Sequence, residues 1–260
     1  MISNIFSVKD KKILITGASA GLGAHYARIL SQAGAHLILT GRREELLIKL
    51  AKEIETINTN VSIFPLDILD FATVEKKMQQ IFDEKNGIDV LINNAGFSPK
   101  IKKTVFENNL SDWDQIIDTN LKSMWFLTKI TAQDMQKRNI IGSIINISST
   151  VANRSRLGNP IYGISKEAVV SLTKKYALEF AKFNIRVNAI APGFFETDIN
   201  RHFINSTQGQ EVIARTIPFS RIGRYDELNG VIFLLASNAS SYMTGECIYI
   251  DGGYIINSIS

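Results

Sequence analysis

Two hydrophobic periods alternate along the chain. Short runs of adjacent apolar, β-branched residues recur at Lys12–Thr16, His36–Thr40, Val61–Leu66, Val90–Asn93, Ser143–Ser148, Val187–Ala191 and Cys247–Asp251, and each reads as a strand. Between them the apolar residues take helical spacing, at Gly21–Ala33, Glu44–Ile57, Phe71–Glu84, Ser111–Arg138, Ile161–Phe183 and Asp226–Ala236. In Glu44–Ile57, for example, Leu46, Leu47, Leu50, Ile54 and Ile57 fall on or near one face. Ser111 is the expected N-cap of the longest helix. Strands that alternate with helices predict βαβ units, and near-continuous apolar strands predict burial on both faces. The expected fold class is therefore α/β, a doubly wound parallel sheet with helices on both faces. No linker or repeat divides residues 1–260, so a single domain is expected. Phe194–Arg224 breaks the alternation: it is long, polar and contains Pro218, and it is expected to be a loop-and-helix insertion serving as a lid.

Composition narrows the class without naming a function. With 45% hydrophobic and 21% charged residues the chain has material for a large core. The formal net charge is +4 and the pI about 9.0, but no Lys/Arg block or basic stripe appears, so nucleic-acid binding is not expected. Cys247 is the sole cysteine and forms no internal disulfide. No apolar run nears the ~20 residues that span a bilayer, and Met1–Lys12 lacks a signal-peptide core. A soluble cytoplasmic protein with no membrane partner is expected. His25, His36 and His202 lack ligand spacing, so no metal is expected.

The first strand runs into Thr16-Gly17-Ala18-Ser19-Ala20-Gly21-Leu22-Gly23 and then a helix. Glycines spaced G-x-x-x-G-x-G let a backbone approach a pyrophosphate closely, and free N–H groups at the helix start meet the anion. Gly17, Ser19, Gly21 and Gly23 are thus candidates for a dinucleotide. The second strand ends Leu39-Thr40-Gly41-Arg42-Arg43, with no carboxylate to hold a ribose 2′-hydroxyl. Arg42 and Arg43 suit a 2′-phosphate, so NADP(H) is expected ahead of NAD(H).

The segment IINISSTVANRSRLGNPIYGISK, Ile144–Lys166, carries the chemistry. Tyr162 and Lys166 are four apart on a predicted helix and share a face; Ser149 lies thirteen residues before Tyr162. With Asn93-Asn94-Ala95-Gly96 after the fourth strand, Asn120, Pro192-Gly193 followed by Thr197, and Asp251-Gly252-Gly253, the sequence resembles the short-chain dehydrogenase/reductase family over roughly Asp10 to Gly253. The resemblance implies a Rossmann-type fold and a hydride-transfer oxidoreductase that interconverts a ketone and a secondary alcohol. Tyr162 would be the general acid/base, its pKa of ~10 lowered by the Lys166 ammonium. Lys166 would also hold the nicotinamide ribose, and Ser149 would bind the substrate oxygen. By resemblance, Asn120 would hold a water that links Lys166 to solvent. The resemblance adds cofactor contacts at Leu22, at Asp67 and Ile68 beside adenine, at Asn93, Ala95 and Gly96 beneath the cofactor, and at Pro192, Gly193, Phe195 and Thr197 toward the nicotinamide. It also implies a homotetramer, with Met124, Trp125 and Val170 as surplus apolar residues on the two long helices.

The small-molecule substrate is expected near Phe97, Ser98, Lys100, Arg154, Arg156, Asn159, Phe194, Phe195 and the insertion to Arg224. A 3-oxoacyl thioester reductase is the first substrate reading, and a sugar-acid or polyol dehydrogenase of the gluconate 5-dehydrogenase type the second. Carrier-protein reductases use basic docking residues where this chain has Gln133 and Phe183, although Lys182 is adjacent. A catalytically idle dinucleotide-binding regulator would not need the intact Ser149, Tyr162 and Lys166 set.

Overall fold

The computed structural model describes residues 5–56, 60–99, 101–196 and 204–257. Of the residues singled out above, Ile57, Lys100, Thr197 and His202 lie outside them.

Seven parallel strands form one sheet: β1 (Lys12–Ile15), β2 (His36–Gly41), β3 (Val61–Pro65), β4 (Val90–Asn93), β5 (Ser143–Ile147), β6 (Arg186–Pro192) and β7 (Cys247–Ile250). Their spatial order is β3-β2-β1-β4-β5-β6-β7. The helices are α1 (Gly21–Gln32), α2 (Glu44–Glu55), α3 (Phe71–Lys85), α4 (Leu110–Ile117), α5 (Ser123–Lys137), α6 (Pro160–Phe180), α7 (Thr207–Thr216) and α8 (Asn229–Ala236). The order reverses between β1 and β4, which opens a crevice at the carboxyl ends of those strands, where such sheets bind ligands.

The strand period of two divides the apolar residues between two cores. Ile13, Ile15, Leu37, Leu39, Val90, Ile92, Ile145 and Ile147 pack with α1, α2 and α8, around Tyr26, Leu30, Leu47, Ile54 and Leu235. Leu14, Ile38, Leu91 and Ile144 face the other way, onto Met78, Ile81, Leu127, Met135 and Ala177 of α3, α5 and α6. Each such side chain contributes ~1.5–3 kcal/mol by leaving water, and a polar residue on either face needs an internal hydrogen-bond partner. Leu46, expected on the buried face of α2, is half-exposed, and Ala51 takes its place beside Leu47, Leu50 and Ile54.

The longest predicted helix is interrupted. Asn109, not Ser111, caps α4, in a capping box with Asp112. Asp118–Lys122 then forms a π turn before α5 continues. Such turns widen the helix locally and recur at functional sites. The 194–224 region contains α7, capped by Ser206 Oγ on the Gly209 N–H, and builds its own small cluster of Ile204, Ile213, Ile217 and Tyr254.

Candidate active site

A cleft of about 960 Å³ runs along the carboxyl edge of the sheet. Of the expected cofactor residues, Gly17, Ser19, Gly21, Arg42, Arg43, Asp67, Ile68, Ala95 and Gly96 line it, together with Ala20, Asn94 and Phe97. The fit to a dinucleotide rests on local geometry. Gly17 has φ +64°, and a Cβ there would lie 2.8 Å from Ala95 Cα; only glycine lets the two loops touch. A Cβ on Gly23 would meet Gly17 O at 2.5 Å, so that glycine serves the packing of α1 on the loop rather than the cleft. Ala20 gives the amino end of α1 no side-chain cap, and its first turn has no acid. Unsatisfied N–H groups and the positive end of the helix dipole therefore face the cleft, as an anion requires.

At the β2–α2 turn, the Arg43 guanidinium donates to Ser19 Oγ at 3.0 Å from Nη2 and 3.3 Å from Nε. Arg42 is exposed and meets no carboxylate among the described residues. Arg28 also lines the cleft, but a bidentate bond to Glu53 occupies it. Two cations at this turn, neither in an ion pair among the described residues, suit an adenosine bearing an extra phosphate.

At the strand ends the side chains divide between the cleft and the core. Asn93 is 2% exposed and faces the core, where Nδ2 donates to Thr128 Oγ1 and Asn146 Oδ1, both at 2.9 Å. Its neighbour Asn94 lines the cleft instead, and donates from Nδ2 to Thr16 O at 3.0 Å and Gly17 O at 3.2 Å. Leu22 packs against the core, and Phe195 is buried against Gly223 and Tyr225. Pro192 ends β6, and Gly193 presses on Asp251: a Cβ there would lie 2.7 Å from Asp251 Cα. Sequence reasoning missed Thr119 and Tyr225, which line the cleft and carry no motif, whereas Ile222 and Arg224 line it from the 194–224 insertion.

The catalytic candidates adjoin the cleft at Gly96, where a Cβ would stand 3.6 Å from Lys166 Nζ and 3.3 Å from Asn120 Oδ1. Lys166 is 5% exposed; its Nζ donates to Ile147 O at 2.9 Å and lies 5.8 Å from the centre of the Tyr162 ring. Burial pushes its pKa down to about 8. Burial pushes the Tyr162 phenol up, while a hydrogen bond with Ser149 and the nearby Arg156 charge pull it down. In this state the opposing pull comes from Ser149 and Arg156, rather than from the Lys166 ammonium expected from the sequence. Ser148 faces away and donates to Lys166 O at 2.9 Å, which fixes α6 on β5. Asn120, in the π turn, is wholly buried. It accepts from the Phe97 N–H at 2.7 Å and donates to Phe97 O at 2.9 Å and Ser165 Oγ at 3.0 Å, tying the floor of the cleft to α6.

Of the residues expected near substrate, Asn159 is structural. It starts α6 at φ 56° and bonds Pro99 O and the Lys103 N–H. Arg154 is occupied as well: it donates to Tyr254 O and stacks 4.6 Å from that ring's centre. No set of three or more His, Cys, Asp or Glu among the described residues is placed to hold a metal, and no described helix is long and apolar enough to cross a membrane.

The comparisons agree with this geometry. A family model described as enoyl-(acyl carrier protein) reductase matches residues 17–255. The chain is 36% identical to a 3-oxoacyl-(acyl-carrier-protein) reductase FabG of Thermotoga maritima, over 96% of this chain and 99% of that one. It is 34% identical to a 2-dehydro-3-deoxy-D-gluconate 5-dehydrogenase of Bacillus subtilis, over 98% of each. Among solved structures, a gluconate 5-dehydrogenase from Burkholderia cenocepacia in complex with NADP and tartrate superimposes with a TM-score of 0.94 at 29% identity, covering 99% of this chain and 100% of that one. The chain belongs to the short-chain dehydrogenase/reductase family.

Proposed function

We propose that the protein is an NADP(H)-dependent oxidoreductase that interconverts a ketone and a secondary alcohol, with Tyr162, Lys166, Ser149 and Asn120 as its working residues. The observation that carries this is Ser149 beside the Tyr162 phenol, where it favours the ionised form, with a buried Lys166 at the Gly96 end of the cleft. NADPH, when bound, supplies hydride. Ser149 holds the substrate oxygen, and the Tyr162 hydroxyl gives that oxygen a proton in reduction and removes it in oxidation. Lys166 keeps a positive charge near the phenol below pH ~8, and Asn120 holds the α4–α5 turn against Phe97 and α6. NADP relatives and the acid-free Arg42–Arg43 turn support the choice of cofactor.

Tyr162→Phe keeps the ring and removes the proton. Cofactor binding should persist while turnover falls ~10²–10⁴-fold, the usual loss for an acid/base group. The test is NADPH oxidation with a panel of ketones; near-normal turnover rejects the assignment.

For the substrate, FabG relatives support a 3-oxoacyl thioester. Exposed Gln133 and half-buried Phe183, with Lys182 over its ring, argue against a carrier-protein partner. The sugar-acid reading is favoured by one observation, the placement of Arg156. We read 194–224 as a lid whose α7 rests on Tyr254, and the protein as a cytoplasmic homotetramer.

A further inference from the structure

The Ser149–Tyr162 connection carries two arginines with different surroundings. Arg154 is committed to Tyr254, as described. Arg156 is exposed, pairs with no carboxylate among the described residues, and lies 5.4 Å from the centre of the Phe194 ring. Phe194 follows β6 at the carboxyl edge, and its carbonyl accepts from the Gly223 N–H at 2.8 Å. Its ring stands edge-on to Tyr254 at 5.1 Å. The ring under Arg156 is thus steadied by Tyr254 and its backbone by Gly223, and an arginine over a fixed ring presents its donors in a set direction at low entropic cost. The Arg156 charge also reaches Tyr162. A cation held here, without an internal partner, is placed to meet an anionic group on whatever sits over Tyr162.

We propose that Arg156, stacked on Phe194 beside the Ser149–Tyr162 pair, is a specificity-determining residue that selects substrates carrying a carboxylate: hydroxy acids and their oxo counterparts. This rests on the reading of Tyr162 as the acid/base group and names the substrate class for it. A neutral 3-oxoacyl thioester offers the guanidinium no anion at this position, whereas a carboxylate takes two parallel N–H···O bonds from it.

The test titrates acids and their neutral counterparts into the full-length protein saturated with NADPH, a dead-end complex in which alcohols do not turn over. Gluconate is paired with glucitol, tartrate with threitol, and 3-hydroxybutyrate with butan-2-ol, and dissociation constants are read by calorimetry. At least one acid should bind about tenfold or more tightly than its partner. Arg156→Gln should lower that affinity about ten- to a hundredfold, the usual worth of a charge-assisted pair, and Arg156→Lys should restore part of it. The proposal is overturned if no acid outbinds its neutral partner, or if Arg156→Gln binds acids as wild type does. It is also overturned if a 3-oxoacyl thioester of N-acetylcysteamine reacts with higher kcat/KM than the oxo acids. Tyr162→Phe separates the two ideas: it should keep acid binding and lose turnover. Retained turnover faults the reading of Tyr162 and leaves the binding role of Arg156 standing.

Discussion

Lys166 shows how burial turns a common residue into a costly one. Its amine is almost sealed from water and bonded to Ile147 O, and its pKa falls from 10.5 to about 8. Below pH ~8 both folded and unfolded chains carry the proton, and the fold bears the full cost of a buried charge. Between pH ~8 and 10.5 the unfolded chain binds more protons than the folded one, so stability rises with pH through that window. The total is at most about 3 kcal/mol. Lys166→Met removes the titration. Its stability advantage over wild type should therefore be larger at pH 7 than at pH 10, as read by urea unfolding at both values. A difference independent of pH would mean that the amine does not titrate in this range.

At the scale of elements, the β2–α2 turn decides between cofactors. Gly41 is buried at the end of β2, and a Cβ there would meet Ser19 Oγ at 3.5 Å and Leu47 Cδ2 at 3.8 Å, which are ordinary contacts. An aspartate therefore fits at 41, where its carboxylate would repel a 2′-phosphate and accept from a 2′-hydroxyl. The double variant Gly41→Asp, Arg42→Ser should reverse a preference for NADPH over NADH that is roughly ten- to a hundredfold in wild type. Fluorescence titration of both reduced cofactors checks it; equal affinities in wild type would make these arginines ordinary surface charges. The turn was readable because it follows a strand and its chemistry depends on residue type alone. Which of the Asn93 and Asn94 side chains faces the cleft was not, because successive residues at a strand end face opposite ways and only coordinates show where the pleat stops. The π turn was equally silent: the apolar spacing from 111 to 138 continues through it, and the constraint on Asn120 comes from Phe97 and Ser165, far away in sequence.

For the whole molecule, the alternation of periods was enough for the parallel sheet and its two cores, because each strand segregates its own residues by face. Assembly was less legible. Met124 was counted as a surplus apolar residue but is 2% exposed and belongs to the interior of α5, whereas its neighbour Trp125 is 41% exposed. Trp113 and Ile164, at 42% and 47%, are exposed on α4 and α6. Large apolar side chains left open on adjoining helices suit the contact between copies that the proposed homotetramer requires. Light scattering should give about four times 29.0 kDa at micromolar concentration, and Trp125→Glu should shift it toward smaller species. A stable monomer in wild type rules the assembly out.

Because all seven strands are parallel, every loop that leaves a strand's carboxyl end emerges on the same rim. In terms of descent, the chain is divided into a conservative body and a margin open to revision. Loops on that rim vary more freely than the two buried faces that specify the fold. A reductase of acyl thioesters and dehydrogenases of sugar acids can therefore share one ancestor and still superimpose on this chain from end to end. The same layout ensures that kinship is written throughout the sequence, while the choice of substrate, on the proposal made for Arg156, rests on a few rim residues.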